Sequence, residues 1–188
     1  SGGVLSHAPR REQSAKMLID SFLPEGITSL AVDSIFMMPQ LGAMANIDIK
    51  ELAEEARIAA LEVFEKDCLI RLGTCIAPTG KFQGKKGVLK AKLKFNSGEK
   101  KEISLDDGQL ILIKAVYQKI DITLTPSKGV DVGAGSGEII QTKIFGGQVG
   151  IIFDCRGRPL KISDQANKRI LDIKNWSDAL EEYPTLEV

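Results

Sequence analysis

GVDVGAGSGEIIQTKIFGGQVGIIFDCRGRPL, residues 129–160, admits two readings, and the choice between them decides the fold. Its opening, Val130 and Asp131 followed by alternating Gly133, Gly135 and Gly137, matches the loop with which Rossmann-like methyltransferases hold S-adenosylmethionine. Such a loop must end a strand, open a helix and lead into further strand–helix units. The chain continues instead with Ile139, Ile140, Thr142, Ile144 and Phe145, then Val149, Ile151, Ile152 and Phe153, interrupted at Gly146-Gly147. These β-branched and aromatic residues belong to strands and show no helical period. The remaining residues to Val188 are too few for the missing units. The run therefore predicts antiparallel strands joined by glycine turns, not a cofactor cradle.

The end of the same run, Asp154-Cys155-Arg156-Gly157-Arg158-Pro159, combines a turn-forming Asp, a Gly free to take positive φ and a Pro that holds Arg158 extended. This predicts a surface turn whose Arg156 and Arg158 are either solvated or offered to an anion or an acidic partner. Replacing both with alanine should then weaken a partner's binding and leave the thermal midpoint nearly unchanged.

Upstream, β grammar begins at Gly80. Val88 to Phe95 alternates, with Lys90, Lys92 and Lys94 on one face and Ala91, Leu93 and Phe95 on the other. Asn96 to Glu99 reads as a turn into a hairpin partner at 101–105, and further strands are expected at 110–116 and 120–124. Six to eight short strands between 80 and 162 favour a small antiparallel sandwich or barrel. A helical tail is expected from Ser163 to Trp176, with a shorter turn to Tyr183. The lysines of this hairpin could meet phosphates, but no aromatic residues interleave with them as single-strand binders require, and lysine is also what exposed sheets carry against aggregation.

The first third reads as mostly helical. Ser6 is a candidate cap for a helix with Pro9 near its start, closed by Pro24 and Gly26. Leu30-Ala31-Val32-Asp33 is a buried-strand candidate, and Ile35 to Leu41, apolar nearly throughout, is expected inside, with Met37 and Met38 as core filler. Asp48 and Glu51 suggest a capping box for a helix whose apolar side is Ile49, Leu52, Ala53, Ala56, Ala60, Val63 and Phe64. Residues 68–77 read as the strand leaving it. The single histidine, His7, sits near a helix start, where capping or surface roles outnumber catalytic ones.

The 188 residues carry 25 Lys plus Arg and 25 Asp plus Glu, so no global field draws nucleic acid or membrane to the chain. No apolar stretch approaches a membrane span, and the start does not resemble a signal peptide. Cys68, Cys75 and Cys155 are odd in number and lack a C-x-x-C pair, which disfavours a disulfide framework or zinc site and suits the cytoplasm. The opening SGGVLSHAPRR, without Met, reads as the start of a fragment, with Ser1 a candidate vector residue. The expected class is α+β: residues 1–79 form a mostly helical segment, and residues 80–188 form a β-rich domain with a C-terminal helix.

GGVLSHAPRR at 2–11, LAVDSIFMMPQLGAM at 30–44, CLIRLGTCIAPTG at 68–80 and GGQVGIIFDCRGRPL at 146–160 together resemble the C-terminal part of the MutL/GlmL-type accessory proteins. These are encoded beside adenosylcobalamin-dependent glutamate mutase and related aminomutases, and are unrelated to the mismatch-repair protein of similar name. The resemblance implies an actin-like, chaperone-like ATPase that reactivates or assembles the cobalamin enzyme. Residues 1–79 would then end its nucleotide-binding lobe, and mutase subunits would be its partners. A Gly-Gly turn before a helix contacts the adenosine of ATP in such proteins, which falls on Gly2 and Gly3 here. The phosphate-binding loops and Mg²⁺-placing acids of the family belong to its N-terminal part, so this chain alone is expected not to hydrolyse ATP. Arg156 and Arg158 are the candidate partner-binding residues. The alternative is an independent nucleic-acid or anion-binding module using the lysine hairpin, for which Lys90, Lys92, Arg156 and Arg158 should share one surface.

Overall fold

A computed structural model describes residues 3–48 and 53–184. The chain is an α+β protein whose strands fall into two four-stranded sheets and a two-stranded ribbon. Helix α1 (Gly3–Ser6) and helix α2 (Arg11–Phe22) precede strand β1 (Gly26–Asp33). Helices α3 (Met38–Ala45) and α4 (Ala53–Val63) follow, the latter continued by a π-helical turn, Phe64–Cys68, and then by β2 (Leu69–Ala77). The remaining strands are β3 (Thr79–Gly80), β4 (Leu89–Phe95), β5 (Lys100–Leu105), β6 (Leu110–Ile113), β7 (Lys119–Pro126), β8 (Val130–Asp131), β9 (Ile140–Phe145) and β10 (Gly150–Asp154), and helix α5 (Ala166–Ala179) closes the described chain.

The first sheet has the order β1-β2-β10-β6 and the second β5-β4-β7-β9, while β3 and β8 form the ribbon. The second sheet is antiparallel throughout, and in it alternation does what the sequence predicts: β4 buries Leu89, Ala91, Leu93 and Phe95 and exposes Lys90, Lys92 and Lys94. Its inner face packs on Ile76, Ile113, Ile151 and Phe153 of the first sheet, giving a sandwich. The other face of the first sheet is covered by Ala15 and Ile19 of α2 and by Trp176, Ala179 and Leu180 at the end of α5. Three layers result, and β10 lies in the middle one. Covered on both faces, it reads as an unbroken apolar run rather than an alternating one. Burying a side chain such as Phe153, which has no exposed surface, stabilises the fold by about 1.5–3 kcal/mol.

The deciding stretch forms strands and no helix begins near Gly137, as expected. Two expectations for it need correction. First, β9 and β10 are not a hairpin: β9 pairs antiparallel with β7 in the second sheet, whereas β10 pairs parallel with β2 in the first. Second, Gly146-Gly147 is a buried crossover between sheets, not an exposed turn. The Gln148 and Val149 N–H groups donate to the Arg71 and Leu72 carbonyls at 2.8 and 2.7 Å, while Tyr117 N–H donates to the Gly147 carbonyl at 2.7 Å. Gly147 has φ +57°, and a Cβ on it would lie 2.4 Å from Gly73 N, so no larger residue fits this close approach.

The pairing of β2 with β10 also joins residues on both sides of the expected 79/80 boundary in one sheet. Ser6 does not cap α2: it ends α1, and its hydroxyl donates to the Asp33 carbonyl. Residues 35–41 are not interior either. Ile35, Phe36 and Met38 are exposed, and only Leu41 is buried, in a small satellite cluster with Ala60 and Cys68. The cause is Asp33, whose carboxylate accepts hydrogen bonds from the Ile35, Met37 and Met38 N–H groups and turns the chain out of the sheet into α3. Helices α3 and α4 thus form an arm inserted between β1 and β2. Of the proposed capping box and apolar side of α4, Ile49, Glu51 and Leu52 lie outside the described residues. The helical tail runs on to Ala179 without a break.

Candidate functional site

Asp154 ends β10 with its side chain on the face toward α2, and Arg156 and Arg158 follow it in a turn where Gly157 takes φ +90°. The Asp154 carboxylate accepts from Arg156 Nε and Nη2, both at 2.8 Å, and from Arg158 Nη2 at 2.9 Å. Arg156 Nη2 also lies 2.8 Å from Asp20 Oδ1 of α2, an ion pair held by charge because that oxygen lacks hydrogen-bond alignment. The Arg156 guanidinium stacks on Trp176 of α5 at 5.0 Å from the ring centre, and Arg158 Nε donates to the Pro24 carbonyl at 2.9 Å. One carboxylate therefore ties the central strand to both covering helices and to the loop before β1. Burial alone would raise the Asp154 carboxyl, but hydrogen bonds and charge from Arg156, then Arg158, outweigh it and hold the group below the ordinary aspartate value. The same burial, with Asp154 nearby, pushes the Cys75 thiol up to about 12, which leaves it an inert core group.

This corrects the expectation for Arg156 and Arg158. Their side chains are 0% and 3% exposed, so they offer nothing to a partner, and their loss would strand a buried carboxylate rather than leave stability unchanged. Nor do they share a surface with Lys90 and Lys92, which lie on the outer face of the other sheet.

The glycine loop after β8 is filled by its own side chain. Asp131 Oδ1 accepts from the Gly133 and Gly135 N–H groups at 2.6 and 3.0 Å, and Gly137 N–H donates to the Val130 carbonyl at 2.7 Å. Those backbone hydrogen bonds, Gly133 first, lower the Asp131 carboxyl from its ordinary value. The donors that a phosphate or ribose would need in a cofactor loop are already taken by this carboxylate.

Two hollows among the described residues open to solvent. The first is a hollow of about 470 Å³ lined by Gly3, Val4, His7, Pro9, Gln13 and Met17, and by Glu182 and Tyr183 from the far end of the chain. Gly3 is at its rim, in α1; Gly2 lies outside the described residues. The contribution of Glu182 and Tyr183 was invisible in the sequence, since only the seating of Leu180 beneath α2 brings them there. The second is the outer face of the second sheet, a shallow concavity of about 620 Å³ bordered by Lys92, Lys94, Lys100, Asp121, Thr123 and Lys143. Strand register adds Lys90 and Lys119 to the same face. Its only ion pairs among the described residues are Lys92 with Glu102 at 3.0 Å and Lys143 with Asp121 at 3.9 Å.

Among the described residues no group of three or more His, Cys, Asp or Glu is placed to hold a metal ion, and no helix is long and apolar enough to cross a membrane. Compared with models of protein families, with curated proteins and with solved structures, the chain matches none.

Proposed function

We propose that the chain is the C-terminal part of an ATPase-type accessory protein that serves a cobalamin-dependent mutase in the cytoplasm, with its β-rich portion acting in protein interaction. The observation that carries this reading is the place where the four resembling stretches meet. Stretches 2–11, 30–44, 68–80 and 146–160 are far apart in sequence. Their described parts supply α1, the end of β1 with α3, β2 and β10. Strands β1, β2 and β10 are neighbours in one sheet, and α1 is bonded to β1 through Ser6 and Asp33. A likeness spread over unrelated loops would not assemble into one layer.

The hollow beside Gly3 supports the adenosine assignment. Its volume falls within the range of small-molecule sites. A Cβ added to Gly3 meets no atom within 4 Å, so the fold itself does not ask for glycine there, whereas close approach of a ligand would. Hydrolysis by this chain alone is not part of the proposal, because stabilising charge on a γ-phosphate needs loops and metal-holding acids that its sequence does not contain.

The direct test immobilises the purified chain and presents purified mutase subunits at about 0.15 M salt. Saturable binding is expected, together with ATP or adenosine binding by calorimetry that Gly3→Val abolishes. Failure to bind any subunit would contradict the reading. The rival anion-binding module now rests on the lysine face alone, and affinity from so few phosphate contacts would be weak and steeply salt-dependent.

A further inference from the structure

We propose that the lysine face of the second sheet receives helix α4 of a second copy of this chain, in a weak head-to-tail association. The chain is neutral overall, yet its charge is segregated. Lys90, Lys92, Lys94, Lys100, Lys119 and Lys143 lie on one sheet face, where Lys94 and Lys100 are direct cross-strand partners. Like charges placed opposite each other destabilise a sheet, and an incoming carboxylate between them reverses that sign.

The complementary surface is α4. The outward side of α4 and of the π-helical turn that continues it carries Glu54, Glu62 and Glu65, against Arg57, the single basic residue of α4, around Ile58 and Leu61, which are 49% and 56% exposed. Two apolar residues three apart on a helix share one face and make a contact ridge. Only Glu62 has an ion-pair partner there among the described residues, Lys66 at a loose 3.8 Å.

No ion pair among the described residues joins α4 to the lysine face within one molecule. The arm packs chiefly on itself, leaving the ridge open. The dimensions agree: the 11 residues of α4 span about 16 Å. Four strands at about 4.8 Å spacing give a face of similar width. The aliphatic stems of the lysines and the methyl group of Thr123, which the register places on the same face, supply apolar cover for Ile58 and Leu61. Ridge and face are different surfaces, so each bound copy leaves one of each free, and association grows into short chains instead of closing as a two-fold dimer. The contact is small, in the range of weak, transient interfaces.

Sedimentation velocity across a concentration series, at about 20 mM and about 500 mM salt, tests this. The wild type should associate at low salt and be monomeric at high salt. A face variant (Lys92→Gln, Lys94→Gln, Lys100→Gln) and a ridge variant (Leu61→Ser, Glu62→Gln, Glu65→Gln) should each associate on the order of tenfold more weakly. All six positions are solvent-exposed, and circular dichroism verifies that both variants fold. The decisive arm is the equimolar mixture: each variant keeps the surface the other lacks, so mixing should restore association and stop it at one-to-one pairs. Monomers throughout the low-salt series, association unchanged in either variant, or a mixture no different from its components would overturn the proposal. So would tighter binding of a single-stranded oligonucleotide or of phosphatidylserine vesicles that is lost in the face variant, since the face would then belong to a phosphate ligand.

Discussion

The two clusters of positive charge in this chain have opposite fates. Arg156 and Arg158 are buried in the layer between the first sheet and α2, whereas Lys90, Lys92 and Lys94 stand on the open face of the second sheet. What separates them is the carboxylate each can reach. Asp154 ends the strand just before the turn that carries both arginines and takes a bidentate bond from one and a single bond from the other, which suits the planar guanidinium. The lysines face threonines, glutamine and one another, with only two acids among them. Position in a turn-like sequence says little about exposure. The partner that neutralises a charge decides.

The largest effect expected from breaking this contrast is at Asp154. Asp154→Ala leaves two arginines in the interior without their shared carboxylate and should lower unfolding free energy by about 3–5 kcal/mol, measured by urea denaturation. Removing the arginines instead, by Arg156→Ala with Arg158→Ala, should cost a comparable amount. An unchanged midpoint in either variant would mean the cluster is not holding the layers together.

A second, smaller effect is in acid. The folded-state value of Asp154 is depressed, so its contribution is fully present above the ordinary aspartate value, about 3.9, and is lost as pH falls through the lower folded value. The stability gap between wild type and Asp154→Asn should therefore be widest near neutral pH and narrow below about pH 4. A gap that widens toward acid would show the sign to be wrong. Asp33, Asp131 and Glu12 are lowered as well, so the variant should keep part of the acid sensitivity.

The smallest effect is on the lysine face. Replacing Lys90, Lys92 and Lys94 with glutamine should move unfolding free energy by no more than about 0.5 kcal/mol, because exposed ion pairs contribute little. A loss comparable to that at Asp154 would erase the contrast between the two clusters.

The second sheet was legible because its strands are covered on one face only. Alternation at Leu89 to Phe95 gave both the strand and the direction of its lysines, and the asparagine–serine–glycine turn gave the hairpin. The first sheet was only half legible. The run at Val149 to Phe153 announced a strand, but an unbroken apolar run does not say which neighbours it has, and the parallel partners on β2 lie 77 residues earlier, Gly73 opposite Gly150. Periodicity also cannot see a carboxylate such as Asp33 turning an apolar segment outward, which is why Ile35 to Met38 were expected inside. The turn at Arg156 to Pro159 forms as its Gly and Pro predict, with Gly157 at φ +90°, but nothing local in the sequence says that α2 and α5 close over its arginines.

The most direct test of the buried cluster as the tie between layers is a double-mutant cycle on Asp154 and Arg156, read by equilibrium unfolding. Asp154→Ala, Arg156→Ala and the double variant should be strongly non-additive, with a coupling energy of about 1.5–3 kcal/mol, because each single change strands the other's charge in the interior. Additivity within about 0.5 kcal/mol would contradict it, and would place Arg156 among the solvated charges where the lysines stand.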